Sequence, residues 1–187
     1  MQESEWVRFI IGEIVGRLAS SDNHLQVIAG RKLLYAYEVR HYQDNGERES
    51  VFMDYETDML VIESADNRWK PRVVIETKLE RVTTHDAITY SQKAATHKQV
   101  HPYLRYGMLL GNRGHYPLPG RLFRHGSHFD FMMSWVAEQP TLEELNHFVQ
   151  LLLEEVDASR LLEEIIYQSH SPHRNRYTLL HKKLVVH

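Results

Sequence analysis

Helical spacing of apolar side chains marks three segments of the chain. In the first, Ser4 occupies a capping position and the apolar side chains that follow fall on one helical face: Trp6, Phe9, Ile10, Ile14 and Leu18. A second helix is predicted over residues 84–103, where Pro102 ends or kinks it. A third is predicted over 141–167, opened by the capping-box pair Thr141 and Glu144, with a break expected near Asp157.

Runs rich in β-branched and aromatic residues predict strands between these helices. The first three runs cover residues 33–40, 51–62 and 71–78, and the Asn45-Gly46 pair between the first two is a strong hairpin signal. Two shorter strands are expected at 106–110 and 129–135, separated by a loop over 111–127. This order predicts an α/β fold in which helices flank a central mixed sheet.

Length and composition agree with one domain over residues 1–187, with a core at about 4–135, a C-terminal helical region at 141–167 and a basic tail at 168–187. The absence of cysteine excludes disulfides and thiolate metal sites. The first residues are acidic and lead into no apolar signal-peptide core, and no apolar run is long enough to cross a membrane. We therefore expect a cytoplasmic protein without a membrane partner.

Charge is distributed in blocks, although the net charge is only -3. Residues 68–124 hold 11 basic and 3 acidic side chains, whereas residues 125–167 hold 1 basic and 9 acidic ones. A basic block of this size indicates a surface for a polyanion. It is equally compatible with a basic segment that neutralises its acidic neighbours inside the fold.

The most informative segment pairs Asp58 on the second strand with Glu76 and Lys78 on the third. Residues two apart on a strand share a face, so Glu76 and Lys78 point the same way. If the turn between the strands centres on Asn67, Asp58 lies directly opposite Glu76, with their Cβ atoms about 5 Å apart. The sequence therefore predicts two carboxylates and a lysine at one end of a hairpin.

Two facing carboxylates repel each other unless a cation or a basic group compensates their charge. A hard divalent cation, Mg²⁺ or Mn²⁺, accepts carboxylate oxygens, and the carbonyl of Thr77 is a candidate for a further ligand. Lys78 would then orient a water molecule or neutralise a phosphate, as phosphodiester hydrolysis requires. The plainer alternative is a surface hairpin with a cross-strand lysine–glutamate pair.

Asp58, the hydrophobic strand and turn that follow it, and the Val-Val-Ile-Glu76-Thr-Lys78 segment together resemble the PD-(D/E)XK, or restriction-endonuclease-like, nuclease superfamily. The predicted element order over about residues 4–111 resembles the αβββαβ core of that superfamily. The residue before Asp58 is Thr57 rather than the proline of the pattern. The resemblance implies a metal-dependent DNA endonuclease with Asp58, Glu76 and Lys78 at its centre.

The resemblance also points to residues outside this centre. Gln99 and Tyr103 have the form of a Gln-x-x-x-Tyr motif, with Gln92 as an alternative on the same helix face, and Gln99 is expected to help position the attacking water or a phosphate. First-helix glutamates often approach the metal in this superfamily, which makes Glu13 the candidate and Glu5 the second choice. An ordinary pair of Glu13 with Arg17 explains the spacing equally well. Expected DNA contacts are Gln92, Lys93, Lys98, Tyr103 and Arg105.

Histidines and loop arginines form two further groups of candidate residues. The histidines lack a zinc-binding pattern, and the loop group of Arg113, Arg121, Arg124, His125 and His128 indicates either a DNA-contact loop or a solvated loop. The leading hypothesis is a DNA endonuclease that works as a homodimer, since one site cuts one strand. The alternatives are a nucleic-acid-binding module of the same fold without cleavage, and an interaction protein that uses its leucine-rich C-terminal helix.

Overall fold

The computed structural model describes residues 2–114, 118–168 and 179–180, and these contain four helices and five strands. In chain order they are α1 (Glu3–Ser21), β1 (Leu25–Tyr42), β2 (Arg48–Ala65), β3 (Arg68–Leu79), α2 (Thr84–Val100), β4 (Arg105–Gly111), α3 (Gly120–His125), β5 (Phe131–Ser134) and α4 (Leu142–Tyr167). The predicted basic tail residues Arg174, Arg176, Lys182 and Lys183 lie outside the described residues.

The five strands form one mixed sheet in the order β1-β2-β3-β4-β5. β1, β2 and β3 are antiparallel neighbours, whereas β3, β4 and β5 run parallel. One face of the sheet is covered by α1 and α4 around Trp6, Ile10 and Phe148, and the other by α2 and α3 around Leu60 and Leu104. The predicted α/β architecture with a mixed sheet flanked by helices is confirmed. No helix in the described part of the chain is both long and apolar enough to cross a membrane.

Several element boundaries differ from the prediction. α1 begins at Glu3 with Gln2 as its N-cap, not Ser4, because Glu5 accepts a hydrogen bond from the Gln2 backbone and closes a capping box there. α2 ends at Val100, since a residue before proline disfavours helical geometry. The predicted break near Asp157 is wrong, because buried residues continue through it and α4 is one helix to Tyr167. The predicted loop over 111–127 contains the short helix α3.

The β2–β3 turn lies between Asp66 and Asn67, both of which have positive φ, at 51° and 59°. This is the backbone of a two-residue hairpin turn with positive φ at both central positions, which asparagine and aspartate tolerate. A turn centred there would place Asp58 opposite Ile75. A β-bulge after Ile62–Pro71 shifts the register by one residue, so the ladder continues through Val61–Val73 to Met59–Ile75. Asp58 and Glu76 come next along the two strands.

β1 bends at Gly30, which has φ +62°. Leu25 and Val27 pack against α1 and α4, but Leu33, which alternation would place on the same face, packs on the α2 side. The odd-numbered side chains of β1 therefore point to one face of the sheet before Gly30 and to the other face after it. Gly30 lies opposite the segment of β2 that carries Asp58. Beyond this bend the hairpin extends as a largely exposed two-stranded ribbon.

Gly30→Ala is expected to lower the free energy of unfolding by about 1–2 kcal/mol, because a Cβ is disfavoured at this φ. The matched control is Gly12→Ala in α1, where nothing lies within 4 Å of an added Cβ. This control should stabilise the protein by about 0.5–1 kcal/mol, since alanine favours a helix interior. Urea unfolding of the two variants checks that Gly30→Ala destabilises the protein and that Gly12→Ala stabilises it. Equal effects would contradict the left-handed backbone conformation assigned to Gly30.

Candidate active site

Asp58 and Glu76 meet at the end of the β2–β3 ladder, on the side of the sheet that α2 covers. The ladder runs to the pair Met59–Ile75, and Asp58 and Glu76 are the next residues on the two strands, so that the charge of Asp58 acts on Glu76. The structure therefore brings together the two acids that the sequence paired. Lys78 follows two residues after Glu76 on the same strand.

Thr77 holds the carboxylate of Asp58. Its backbone N–H and its hydroxyl group both donate hydrogen bonds to Asp58 Oδ2, at 2.8 and 3.0 Å. The sequence predicted the Thr77 carbonyl as a metal ligand. The contacts of Thr77 with Asp58 that the structure shows are made by its N–H and its hydroxyl group. Because both bonds end on Oδ2, they fix the orientation of Asp58 and leave Oδ1 for another partner.

Glu76 is almost completely buried, with 1% of its surface exposed. The Tyr106 hydroxyl donates to its Oε1 at 2.5 Å, and Lys93 Nζ lies 3.9 Å from the same oxygen. Burial and the neighbouring Asp58 charge raise the pKa of Glu76 to about 7, against the opposing effects of Lys93 and Tyr106. Glu76 therefore changes its protonation near neutral pH, and a bound cation would favour its ionised form.

Lys93 of α2 is held inside the site. Its Nζ lies 3.7 Å from the ring centroid of Tyr55 and 4.7 Å from that of Tyr90, which is cation–π geometry. Its side chain is 12% exposed and ends beside Glu76. The sequence assigned Lys93 to DNA contact, but its position makes it the local counter-charge of the buried acid.

Lys78 Nζ forms an ion pair with Glu3 Oε1 at 3.0 Å and lies 5.4 Å from the ring centroid of Tyr90. Burial lowers the pKa of Lys78, but hydrogen bonds with Glu3 and Tyr90 outweigh it, and the pKa is raised above its ordinary value. Lys78 is therefore positively charged at neutral pH. It can neutralise an anion or donate a hydrogen bond, but it cannot act as a general base.

Glu3 is the acid of α1 that reaches the site, and the sequence reasoning missed it. Glu13 is exposed and lies ten residues further along, about 15 Å along the helix axis. Arg17, its alternative partner, donates to Asn146. Glu5 accepts the capping-box hydrogen bond from Gln2. The approach of Glu3 depends on how α1 crosses the sheet, which no spacing within α1 reveals.

The Gln-x-x-x-Tyr segment does not enter the site. Gln99 is exposed and lies six residues, or about 9 Å along α2, beyond Lys93. Tyr103 follows the end of α2 and packs against the Arg72 guanidinium, which lies 5.5 Å from its ring centroid. Gln92 is exposed on a different face of α2, towards α3.

Lys98 and Arg105, which the sequence assigned to DNA contact, form ion pairs with acidic side chains of the protein itself. Lys98 Nζ lies 2.8 Å from Asp130, and Arg105 lies 3.2 Å from Asp130 and 2.5 Å from Glu155. Much of the basic block is used in this way. Its further ion pairs join Lys70 and Arg72 to Glu163, and Arg72 to Glu63.

Aromatic side chains that the sequence did not single out build the walls of the site. His97, one turn after Lys93, is buried within 6.5 Å of the ring centroids of Tyr35, Tyr55 and Tyr106. Burial lowers the pKa of His97 to about 4, so the imidazole is neutral and adds no charge near Glu76. The spacing of Tyr90, Lys93 and His97 along α2 could have indicated one inward face.

The donor set for a cation is the Asp58–Glu76 pair. Within residues 2–114, 118–168 and 179–180, no three histidine, aspartate or glutamate side chains are grouped to hold a metal ion. Two carboxylates suit Mg²⁺, which usually keeps several water ligands and binds one or two protein carboxylates together with substrate phosphates.

Comparison with known proteins assigns this chain to no family. No protein-family model matches the sequence, and a search of curated proteins found no match.

Proposed function

We propose that this protein is a divalent-metal-dependent nuclease that hydrolyses phosphodiester bonds of DNA at Asp58, Glu76 and Lys78. The observation that carries the proposal is the placement of Asp58 opposite the buried Glu76 at the end of the β2–β3 ladder, with Lys78 two residues further along β3. Burying Glu76 beside the carboxyl group of Asp58 is costly for a fold. A cation bound by the two carboxylates would offset this cost.

Asp58 and Glu76 would hold Mg²⁺ or Mn²⁺, and the bound cation would favour the ionised form of Glu76. The bound ion would lower the pKa of a water molecule and stabilise the developing charge on the phosphate. Thr77 keeps Asp58 in position through two hydrogen bonds, and Tyr106 does the same for Glu76 through one. Lys78 remains protonated and supplies positive charge to the phosphate.

The proposal is tested by incubating supercoiled plasmid with the purified protein in Mg²⁺, in Ca²⁺ and in EDTA. Cleavage is expected in Mg²⁺ and not in EDTA. Asp58→Asn, purified in parallel, is the control for contaminating nucleases and should be inactive. Equal cleavage by wild type and Asp58→Asn would place any activity outside this site, and DNA binding in Ca²⁺ without cleavage in Mg²⁺ or Mn²⁺ would favour the binding-module alternative.

A homodimer belongs to the same proposal. Cutting both strands of a duplex requires two such sites, and a two-fold pair supplies them most simply. In α4 the leucine-rich stripe around Leu145, Phe148 and Leu152 is buried in the core of the chain itself. Besides Leu142 at its first position, the large apolar side chains left exposed on α4 lie near its C-terminal end: Leu161, Ile165, Ile166 and Tyr167. Light scattering coupled to size exclusion tests the dimer.

A further inference from the structure

A polar depression lies between α2 and the loop that follows α3, on a different face of α2 from Lys93. Its polar lining consists of two residues of α2, two of α3 and two of the following loop: Ser91, Gln92, Arg124, His125, Ser127 and His128. The residues described in this lining include no carboxylate, in contrast to the surroundings of Lys98 and Arg105. The side chains offer a guanidinium, two imidazoles, an amide and two hydroxyl groups, all of which can donate hydrogen bonds.

The structure separates the arginines of this region into two kinds. Arg113 and Arg121 donate to the backbone carbonyls of Glu80 and Val82, so they tie the loop to the end of β3. Arg124, by contrast, is exposed and lines the depression. Within the described residues, Arg113 and Arg121 therefore hold the backbone in place, whereas Arg124 lines the depression.

The loop that carries His128 is fixed to α2. Its backbone N–H donates to the buried Ser91 hydroxyl at 3.2 Å, and its carbonyl accepts from Lys98 Nζ at 2.8 Å. Gly126 allows the tight passage from α3, because a Cβ there would lie 2.5 Å from the Leu122 carbonyl oxygen. The position of His128 relative to Gln92 is thus set before any ligand arrives.

We propose that this depression binds the phosphodiester backbone of a nucleic acid, with Arg124 and His128 as its principal contacts. Phosphate oxygens accept hydrogen bonds, and a fixed set of donors beside an arginine suits them. The inference rests on the proposed function for its biological sense, since the depression and the active site lie on two different faces of the same helix, α2. Binding itself does not require cleavage.

The test measures DNA affinity in Ca²⁺ by fluorescence anisotropy over a range of salt concentrations, with labelled single-stranded and double-stranded oligonucleotides. For the double variant Arg124→Gln with His128→Gln, we expect about tenfold weaker binding, and a plot of log affinity against log salt that is flatter by roughly one for each phosphate that the variant no longer neutralises. Comparison of the single-stranded and double-stranded oligonucleotides shows which of the two the depression binds. Inorganic phosphate should compete with the wild type more than with the variant.

The matched control is Arg8→Gln, which removes the same exposed charge from α1 on the opposite side of the sheet. An unchanged slope in the double variant, or an equal change in the Arg8 variant, would overturn the inference. Circular dichroism checks that each variant is folded, and Arg124→Gln alone replaces the double variant if the latter is not. A wild type that cleaves, with an unchanged slope in the variant, refutes only this inference. A flattened slope in a protein that never cleaves refutes only the nuclease.

Discussion

Lys78→Met is expected to cleave DNA about 10²–10³-fold more slowly than the wild type in Mg²⁺, while binding DNA in Ca²⁺ with little change. The size of the effect is that of removing one preorganised charge or donor from a developing oxyanion. Lys78 can have this role because its pKa is raised and it keeps its proton at neutral pH. Initial rates of plasmid cleavage, with anisotropy for binding, measure the two quantities separately.

Lys32→Met is the control for this variant, since Lys32 is an exposed lysine of β1 and its loss changes the net charge equally. The Lys32 variant should keep the wild-type rate. If Lys78→Met also keeps the wild-type rate, Lys78 takes no part in the chemistry. If both variants lose activity through weaker DNA binding, the lysines act by general attraction of the polyanion.

Glu76→Gln is expected to increase the free energy of unfolding at pH 8 by about 3 kcal/mol, and to change it little at pH 5. The pKa of Glu76 is about 7 in the folded protein and has an ordinary value of 4.5. The folded state therefore binds more protons than the unfolded state between these values, and this group lowers stability as the pH rises through them. Glutamine removes the penalty and keeps the shape of the side chain. Urea unfolding at the two pH values, without metal, measures the difference.

Glu63→Gln should behave in the opposite way. Burial raises the pKa of Glu63, but its hydrogen bonds with Arg160 and Arg72 outweigh burial and lower it overall. A lowered pKa means that the carboxylate stabilises the fold above its unfolded pKa and loses this contribution as the pH falls. The Glu63 variant should therefore be less stable than the wild type at pH 8. A gain in stability there would contradict the ion-pair assignment.

Adding Mg²⁺ at pH 8 should stabilise the wild type and not Glu76→Gln, because a ligand that binds only the folded state raises its stability. Stabilisation of both variants by the same amount would show that the ion binds elsewhere.

Hydrophobic patterning was enough to predict the helix–sheet order and the mixed sheet, since alternation and helical spacing report directly on burial. The proximity of Asp58 and Glu76 was predicted correctly on a partly wrong premise. The turn is centred between Asp66 and Asn67 rather than on Asn67, which would shift the pairing of the two strands by one residue. The bulge at Arg72 shifts the pairing back, so that Asp58 again lies opposite Glu76. A bulge depends on local twist and on the contacts of one side chain, and the strand sequence carries no clear mark of it.

The charge pattern was the least reliable guide. Lys98 and Arg105 belong to a basic block that suggested DNA, yet their partners Asp130 and Glu155 come from the acidic block that follows it. A basic block can face a polyanion or can neutralise acidic residues of the same chain. The pairing of side chains distant in the sequence decides between these two explanations. The same reason explains why Glu3 and Tyr106 were missed, because each reaches the site from an element distant in the chain.

The bulge in β3 has a consequence for anyone who would transplant this site into a designed hairpin. A two-residue turn at Asp66 and Asn67 with an unbroken ladder would set Asp58 against Ile75, and Glu76 would then project from the opposite face. Copying the two acids and their turn would therefore give a graft with its carboxylates on opposite faces. The extra residue that restores the register is Arg72, whose buried guanidinium is bound by Glu63 and Glu163. A working copy must carry that anchor as well, which makes α4 part of the smallest portable unit.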